Sequence, residues 1–307
     1  MSFNDRDGFI WMDGEYVNWR DAKVHVLTHT FHYGVGVFEG VRAYETATGP
    51  AIFRLDRHTE RLFQSAKIMG MKMPFNAQEL NAAQIDIISK NDLKSAYLRP
   101  MAYYGSEAMG LHAKGLKVHV MLAAWEWGAY LGDDGLEKGI RVKTSSFSRH
   151  HVNSNMAKAK TNGHYTNSIM ALQEAENAGY DEALMLDPHG YVAEGSGENI
   201  FIVRRGKVYT PSLTSALEGI TRDTVVELLR QDMGLEVIEK QITRDEVYTA
   251  DEAFFTGTAA EVTPIQSLDD REIGDGGRGP LTKEIQSRYF DVVYGRDEAR
   301  SNWLTHA

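Results

Sequence analysis

Tyr191-Val192-Ala193-Glu194-Gly195-Ser196-Gly197-Glu198-Asn199 runs a strand into a turn of small residues and out again, and the fold is read from it. Upstream, residues 182–186 are a strand-like run, and Asp187-Pro188-His189-Gly190 is a turn that leads into 191–194. Downstream, 199–203 and 207–210 form a hairpin about Arg204-Arg205-Gly206. Helices flank these strands. Residues 163–177 read as a helix stopped at Gly179, and Gly219-Ile220-Thr221-Arg222-Asp223 opens another over Val225, Leu228, Leu229 and Met233, ended by Gly234. Thr243-Arg244-Asp245-Glu246 is a capping box.

Nearer the N-terminus, Leu55, Leu62, Phe63, Ala66 and Met69 fall on one face of a helix whose other face carries Arg54, Arg57, Glu60 and Lys67. A second helix spans 76–90, and two β-rich stretches follow at 97–104 and 116–125. The glycine-rich residues 127–139 have no sustained periodicity and read as a linker. The chain is therefore expected to be α+β: a small α/β domain over 1–126, an interdomain loop over 127–139 and a larger domain over 140–307.

Of the 307 residues, 33 are Lys or Arg and 43 are Asp or Glu, a formal charge of −10 that disfavours nucleic acid and anionic membranes as partners. Hydrophobic residues at 42% suffice for packed cores and exclude a disordered chain. The longest apolar run near the middle, from Val120 to Trp125, is far short of the roughly 20 residues of a membrane span. With a polar N-terminus, the expected location is the cytoplasm. Zero cysteines remove disulfides, thiolate metal sites and thiol nucleophiles. His29 and His32 are three apart and His150 and His151 adjacent, but no His-Glu-x-x-His occurs, so no metal is expected. What chemistry there is must use oxygen, nitrogen or a bound cofactor.

Two turns suit an anion. Gly219-Ile220-Thr221 offers backbone N–H groups, a hydroxyl and the positive end of a helix dipole, and Thr256-Gly257-Thr258-Ala259-Ala260 follows an apolar strand with similar chemistry. Lys158 and Lys160 alternate with alanine, and periodicity alone does not say which turns inward, if either. A desolvated lysine is suited to Schiff-base chemistry. Glu194 either caps its turn or pairs with a cationic ring nitrogen approaching over the glycines. Tyr97 and Arg99 share one face of a strand, as an edge pair or as a phenol–guanidinium clamp for a carboxylate.

Together these segments resemble the branched-chain amino-acid aminotransferases, pyridoxal-phosphate (PLP) enzymes of fold type IV. The ordered set is His32-Tyr33-Gly34, Val37-Phe38-Glu39-Gly40-Val41-Arg42, Tyr97-Leu98-Arg99-Pro100, residues 127–132, Lys158-Ala159-Lys160, Glu194-Gly195-Ser196-Gly197-Glu198-Asn199, Gly219-Ile220-Thr221-Arg222 and Gly257-Thr258-Ala259-Ala260-Glu261-Val262-Thr263-Pro264. The resemblance implies a small α/β domain and a larger domain with a β-barrel-like core and surrounding helices. It implies pyridoxal 5'-phosphate as a Schiff base on Lys160, with Tyr165 at the phenolate oxygen and Glu194 at the ring nitrogen. It gives the phosphate to Arg61, Ile220, Thr221 and Thr258.

The implied reaction moves an amino group between L-leucine, L-isoleucine or L-valine and 2-oxoglutarate, yielding branched-chain 2-oxo acids and L-glutamate. Tyr97 with the N–H groups of Thr258 and Ala259 would take the α-carboxylate, and Arg99 the side-chain carboxylate of glutamate. Phe38, Tyr33, Trp127, Tyr130 and Tyr165 would supply apolar surface. Tyr33 and the region from Met109 to Leu111 would reach a neighbouring subunit, so a homodimer or dimer-based oligomer is implied. Other enzymes of the fold are the nearest rivals. The D-amino-acid pattern places Arg and His where Tyr97 and Arg99 stand here, (R)-amine transaminases are a further rival, and aminodeoxychorismate lyase has no need of Arg99 for a second dicarboxylic substrate. A non-catalytic PLP-binding protein is the rival of another class.

Overall fold

The computed structural model describes residues 2–128 and 132–307; Tyr130 lies outside the described residues. By its contacts the chain divides into two compact units: Met1–Trp127 with Ala159–Gly163 and Val293–Ala307, and Gly128–Lys158 with His164–Val292. The sequence-based boundary after 126 lies beside Trp127. The Lys160 segment and the C-terminal residues, however, pack with the first unit instead of with the rest of 140–307.

The first unit contains β1 (Phe9–Met12), β2 (Glu15–Asn18), α1 (His29–Tyr33), β3 (Gly36–Phe38), β4 (Val41–Thr46), β5 (Gly49–Phe53), α2 (Leu55–Ile68), α3 (Ala77–Lys90), β6 (Ala96–Tyr104) and β7 (Val118–Trp125). Among the described residues these strands and the C-terminal strand Leu304–His306 make an eight-stranded sheet. It is ordered C-terminal strand-β5-β4-β6-β7-β1-β2, with β3 also on β6. Its pairings are antiparallel.

The expected amphipathic helix is α2, which buries Leu55, His58, Leu62, Ser65 and Ala66 at helical spacing. Its apolar residues meet Leu80, Ala83, Ile87 and Ile88 of α3 and Val37, Val41, Ile52 and Leu98 of the sheet in one core. A polar seam joins the two helices. Gln84 Nε2 donates to Thr59 Oγ1 at 3.1 Å, Thr59 Oγ1 to Asn81 Oδ1 at 2.5 Å, and Asn81 Nδ2 to Asp56 Oδ1 at 2.7 Å.

The second unit contains α4 (Gly132–Lys138), β8 (Ile140–Thr144), α5 (Tyr165–Asn177), β9 (Glu182–Leu186), β10 (Val192–Gly195), β11 (Asn199–Arg204), β12 (Lys207–Pro211), α6 (Ile220–Gln231), β13 (Val237–Lys240), α7 (Arg244–Tyr248), β14 (Glu252–Gly257), β15 (Glu261–Leu268) and α8 (Pro280–Val293). Its sheet runs β10-β9-β8-β15-β14-β11-β12-β13, with the short strand Arg271–Glu272 on β15. β8 is parallel to β9 and β15, and β12 to β13; the other pairs are antiparallel. β10, at one end of that order, lies beside β11 and β12, so the sheet curls back on itself as a half-closed barrel. Val142, Ile200, Ile202, Phe255 and Ile265 pack in its core. The α+β class is as expected from sequence.

One element was not foreseen. Where residues 127–139 read as a loop, 132–138 are the helix α4, closed by Gly139 at φ 91°, whose N–H donates to Gly135 O at 3.1 Å. Lys138 pairs with Asp134 one turn earlier at 3.0 Å. Glycines cost helix propensity, and the sequence pattern followed that cost. Among the described residues no helix is long and apolar enough to cross a membrane.

Asn76 caps α3 reciprocally: its Oδ1 accepts from Glu79 N at 2.9 Å, and its N–H donates to Glu79 Oε2 at 2.7 Å. Asn76→Ala is expected to cost about 1 kcal/mol, read as a lower urea midpoint with an unchanged slope. An unchanged midpoint would show that the seam between α2 and α3 holds the helix end without the cap.

Candidate active site

In the first unit, backbone pairing fixes the candidate lysine. β3 pairs with β6 on one side, Phe38 opposite Met101. On the other, Phe38 N–H donates to Lys160 O at 3.1 Å, Val37 bridges Thr161, and Gly163 N–H donates to Gly34 O at 3.1 Å. The approach needs glycine twice: Gly34 sits at φ 70°, and a Cβ on Gly163 would stand 3.2 Å from Gly34 O. Lys160 N–H donates to Ser65 Oγ on α2 at 3.0 Å, and Nζ lies 5.1 Å from the Phe38 ring centroid. Lys158 is engaged otherwise: its Nζ donates to Leu213 O and Ala216 O and pairs with Glu218 at 3.4 Å. Of the two lysines, then, Lys158 is committed to backbone carbonyls.

Arg61 is held by a residue that carried no role in the sequence reading. Glu39, with 0% exposure, accepts from Arg61 Nε at 2.7 Å on Oε1 and from Nη2 at 2.9 Å on Oε2. Its Oε2 also meets His58 Nδ1 at 2.7 Å. Burial opposes the charge on Glu39, but Arg61 and His58 outweigh it and hold the carboxyl far below the usual range. Burial also pushes His58 down, below an ordinary histidine.

Tyr97 and Arg99 project to one face of β6, as their alternation predicts. Arg99 Nη2 donates to Tyr97 OH at 3.2 Å, and its guanidinium lies 4.7 Å from the Phe38 ring centroid. Arg99 Nε is buried with no hydrogen-bond partner. Tyr97 packs against Trp127, ring centroids 4.5 Å apart, and a Cβ on Gly40 would fall 1.9 Å from the Tyr97 hydroxyl oxygen. Tyr33, Met109 and Leu111 are gathered elsewhere on this unit's surface. Gly110 N–H donates to Tyr33 OH at 3.0 Å, His29 Nε2 meets Gly110 O at 2.8 Å, and Leu111 is 90% exposed.

In the second unit, Glu194 is buried at the end of β10. Arg149 Nε donates to its Oε1 at 2.8 Å and Leu217 N–H to its Oε2 at 3.2 Å. Arg149 also donates to Ser168 Oγ at 2.9 Å and Ser196 O at 3.3 Å, so one buried guanidinium ties the Glu194 turn to α5. His150, beside it, is neither solvated nor hydrogen-bonded at its nitrogens. Burial, the His164 ring and Arg149 together push it down to about 4.

Two sets of backbone donors belong to the same unit. α6 starts at Ile220 and Thr221 behind Gly219, which makes no side-chain cap and where a Cβ would fall 1.9 Å from Asn199 Oδ1. Thr258 and Ala259 lie in the turn between β14 and β15, braced by Thr263 Oγ1 donating to Ala260 O at 2.6 Å. Tyr165 is the half-buried first residue of α5.

Sequence reasoning missed Glu39, His58, Ser65 and Arg149. Glu39 stands inside a quoted motif, and Arg149 directly precedes the histidine pair, but nothing in their spacing reveals a partner 22 or 45 positions away.

Gly40→Ala is expected to drive the Tyr97 hydroxyl from Arg99 and to lower kcat/KM by about tenfold or more, with the thermal midpoint nearly unchanged. Steady-state kinetics and a melting curve on one preparation check it, and wild-type kinetics in the variant would dismiss the Tyr97–Arg99 contact as functional.

Residues 36–268 match the amino-transferase class IV family. The chain is 62% identical over 305 residues to the branched-chain-amino-acid aminotransferase of Pseudomonas aeruginosa, covering 99% of both chains. To that of Escherichia coli K12 it is 45% identical over 298 residues, with 96% of each covered. Among solved structures, the crystal structure of the Escherichia coli branched-chain amino acid aminotransferase superposes with a TM-score of 0.96 at 44% identity, over 98% of this chain and 99% of that one. The chain belongs to the class IV aminotransferase family.

Proposed function

We propose that the chain transfers the amino group between L-leucine, L-isoleucine or L-valine and 2-oxoglutarate, giving branched-chain 2-oxo acids and L-glutamate, with PLP as cofactor. The observation that carries this reading is likeness to branched-chain aminotransferases along nearly the whole chain. The donor set fits PLP. The helix N-terminus at Ile220 and Thr221 lacks a side-chain cap and suits a phosphate, Glu194 offers a buried carboxylate to a cationic ring nitrogen, and Lys160 offers an amine.

In this reading Arg61, Ile220, Thr221 and Thr258 hold the phosphate, Tyr165 the phenolic oxygen, and Lys160 the aldehyde carbon. When bound, PLP supplies a carbonyl that condenses with amines and a ring that accepts the electron pair left as the Cα proton departs. Lys160 gives way to the substrate amine, then takes the Cα proton on Nζ. Glu194 keeps the proton on the ring nitrogen, and Arg149 holds Glu194 in place. Tyr97 and the N–H groups of Thr258 and Ala259 take the α-carboxylate.

Two side-chain types must share one place. Arg99 supports both needs, because its guanidinium lies over Phe38 while its buried Nε has no partner. An aliphatic side chain meets Phe38, Trp127 and Tyr130, with Tyr33, Met109 and Leu111 from a second copy, and a glutamate carboxylate meets the guanidinium. Val26, Phe31, Tyr33, Met109 and Leu111 are large apolar side chains exposed on the first unit, which supports a homodimer built on that face.

Three experiments test the proposal. The cofactor's visible absorbance should change on adding L-leucine and return with 2-oxoglutarate, while Lys160→Ala completes no turnover and its absorbance does not return with 2-oxoglutarate. Faster amino transfer from D-alanine or (R)-1-phenylethylamine than from L-leucine would replace the substrate reading. For the dimer, Phe31→Asp with Leu111→Asp should halve the mass seen by light scattering and abolish activity; a mass unaltered by the two charges would place the interface elsewhere.

A further inference from the structure

Beside the Glu194–Arg149 pair the second unit buries two more carboxyls, Glu182 at 0% exposure on β9 and Glu198 at 6% between β10 and β11. Glu182 Oε1 accepts from Ala183 N–H at 2.6 Å, and Oε2 is buried with no partner. Glu198 Oε2 accepts from Gly197 N–H at 3.1 Å. The rest of Glu198 fills room that two glycines leave. A Cβ on Gly195 would stand 2.7 Å from its Oε2, and one on Gly257 3.3 Å from its Cγ. The side chain is thus wedged between the turn that carries Glu194 and the strand end that leads into Thr258 and Ala259.

Among the described residues the charged groups around this wedge are few. Glu194 comes from β10, Glu176 from α5, and Arg149 from the segment before α5; Glu261 stands opposite Gly257 in the β14–β15 ladder. Arg149 is the one cation among them, and its Nε is committed to Glu194. Two further buried negative charges would have no cation of their own, which desolvation forbids. Burial and the charge of Glu182 accordingly push Glu198 well above the ordinary carboxyl range, and burial with Glu176 pushes Glu182 upward as well.

We propose that Glu182 and Glu198 carry one proton for the pair, and that Glu198 in its neutral form is a positioning residue fixing the Glu194 turn against the Thr258–Ala259 turn. Neutrality leaves Glu194 as the carboxylate that Arg149 pairs with. The consequence for cofactor binding rests on the roles proposed above for Glu194 and Thr258; the shared proton does not.

The infrared spectrum of the holoenzyme at neutral pH tests the proton. A C=O stretch of a protonated carboxylic acid, shifting in D2O, is expected in the wild type and in Glu194→Gln, and is expected to vanish in the Glu182→Gln/Glu198→Gln double variant. Its absence from the wild type, or its persistence in the double variant, overturns the proposal. Positioning is read from PLP affinity: Glu198→Gln should stay within about threefold of wild type, while Glu198→Ala weakens binding about tenfold or more. Equal losses in both overturn it.

Stability supplies a third readout. A carboxyl whose pKa is raised by folding contributes stability that is fully present below its unfolded value and lost as pH rises through the folded one. The thermal midpoint of Glu198→Gln should therefore gain on the wild type as pH rises above the ordinary carboxyl range, and a constant gap counts against the shared proton. None of these measurements needs turnover, so a chain that failed to transaminate would still show the band, and a transaminase without the band would lose only this inference.

Discussion

A carboxylate sealed from water must find its cation inside the protein, and in the first unit that requirement falls on Glu39. Its two oxygens take three donors from one face of α2, so the charge fixes the rotation of that helix against the sheet as firmly as its apolar stripe does. α2 also carries Ser65, which receives the Lys160 N–H, and strand β3 beside Glu39 donates to the Lys160 carbonyl. One ion pair therefore bears on the placement of the lysine without touching it. Removing either partner of such a pair costs about 3–5 kcal/mol, because the charge left behind has no water to turn to.

The second unit solves the same problem with Arg149 and Glu194, and then applies the opposite remedy to Glu182 and Glu198. Where Arg149 is supplied, Glu194 is ion-paired; where no cation is supplied, burial raises the carboxyl and favours its neutral form. The sequence writes all four glutamates with the same letter, and only what is packed beside each decides its charge. The glycines show the same dependence. Gly195 and Gly257 are small because Glu198 fills the space a Cβ would need, and Gly40 because the Tyr97 hydroxyl does.

Periodicity and turn chemistry made the elements legible: α2, the capped α3, β6 and the hairpin of β11 and β12 stand where the spacing put them. α4 was hidden because its glycines argue against a helix, while its ion pair and its terminal glycine are visible only once the helix is assumed. In the candidate site, residues that act through type and local setting could be read, such as the Gly-Ile-Thr helix start, the Tyr97–Arg99 alternation and Glu194 in its small-residue turn. Residues that act through a distant partner could not. Arg149 is recognised only through Glu194, and Glu39 only through Arg61. Choosing Lys160 over Lys158 likewise needed resemblance at first; the structure adds a local reason, since Lys158 spends its donors on backbone carbonyls.

The formal charge of −10 bears on how an acidic chain serves anionic substrates. Arg61 shares its charge with Glu39, and Arg149 with Glu194, so neither guanidinium presents a whole positive charge. The uncapped N-terminus of α6 and the turn at Thr258 and Ala259 offer N–H dipoles instead, which need no counter-ion and leave the net charge untouched. Arg99 differs from the other two arginines. Its one bond to a neighbouring side chain goes to a neutral phenol and its Nε is orphaned, so it keeps its full charge in a partly apolar setting. A full charge is what a second carboxylate requires, and the Phe38 ring beneath it is what an aliphatic side chain requires. In the proposed reading, a cation held against an aromatic face is what lets one small surface accept two substrates of opposite character.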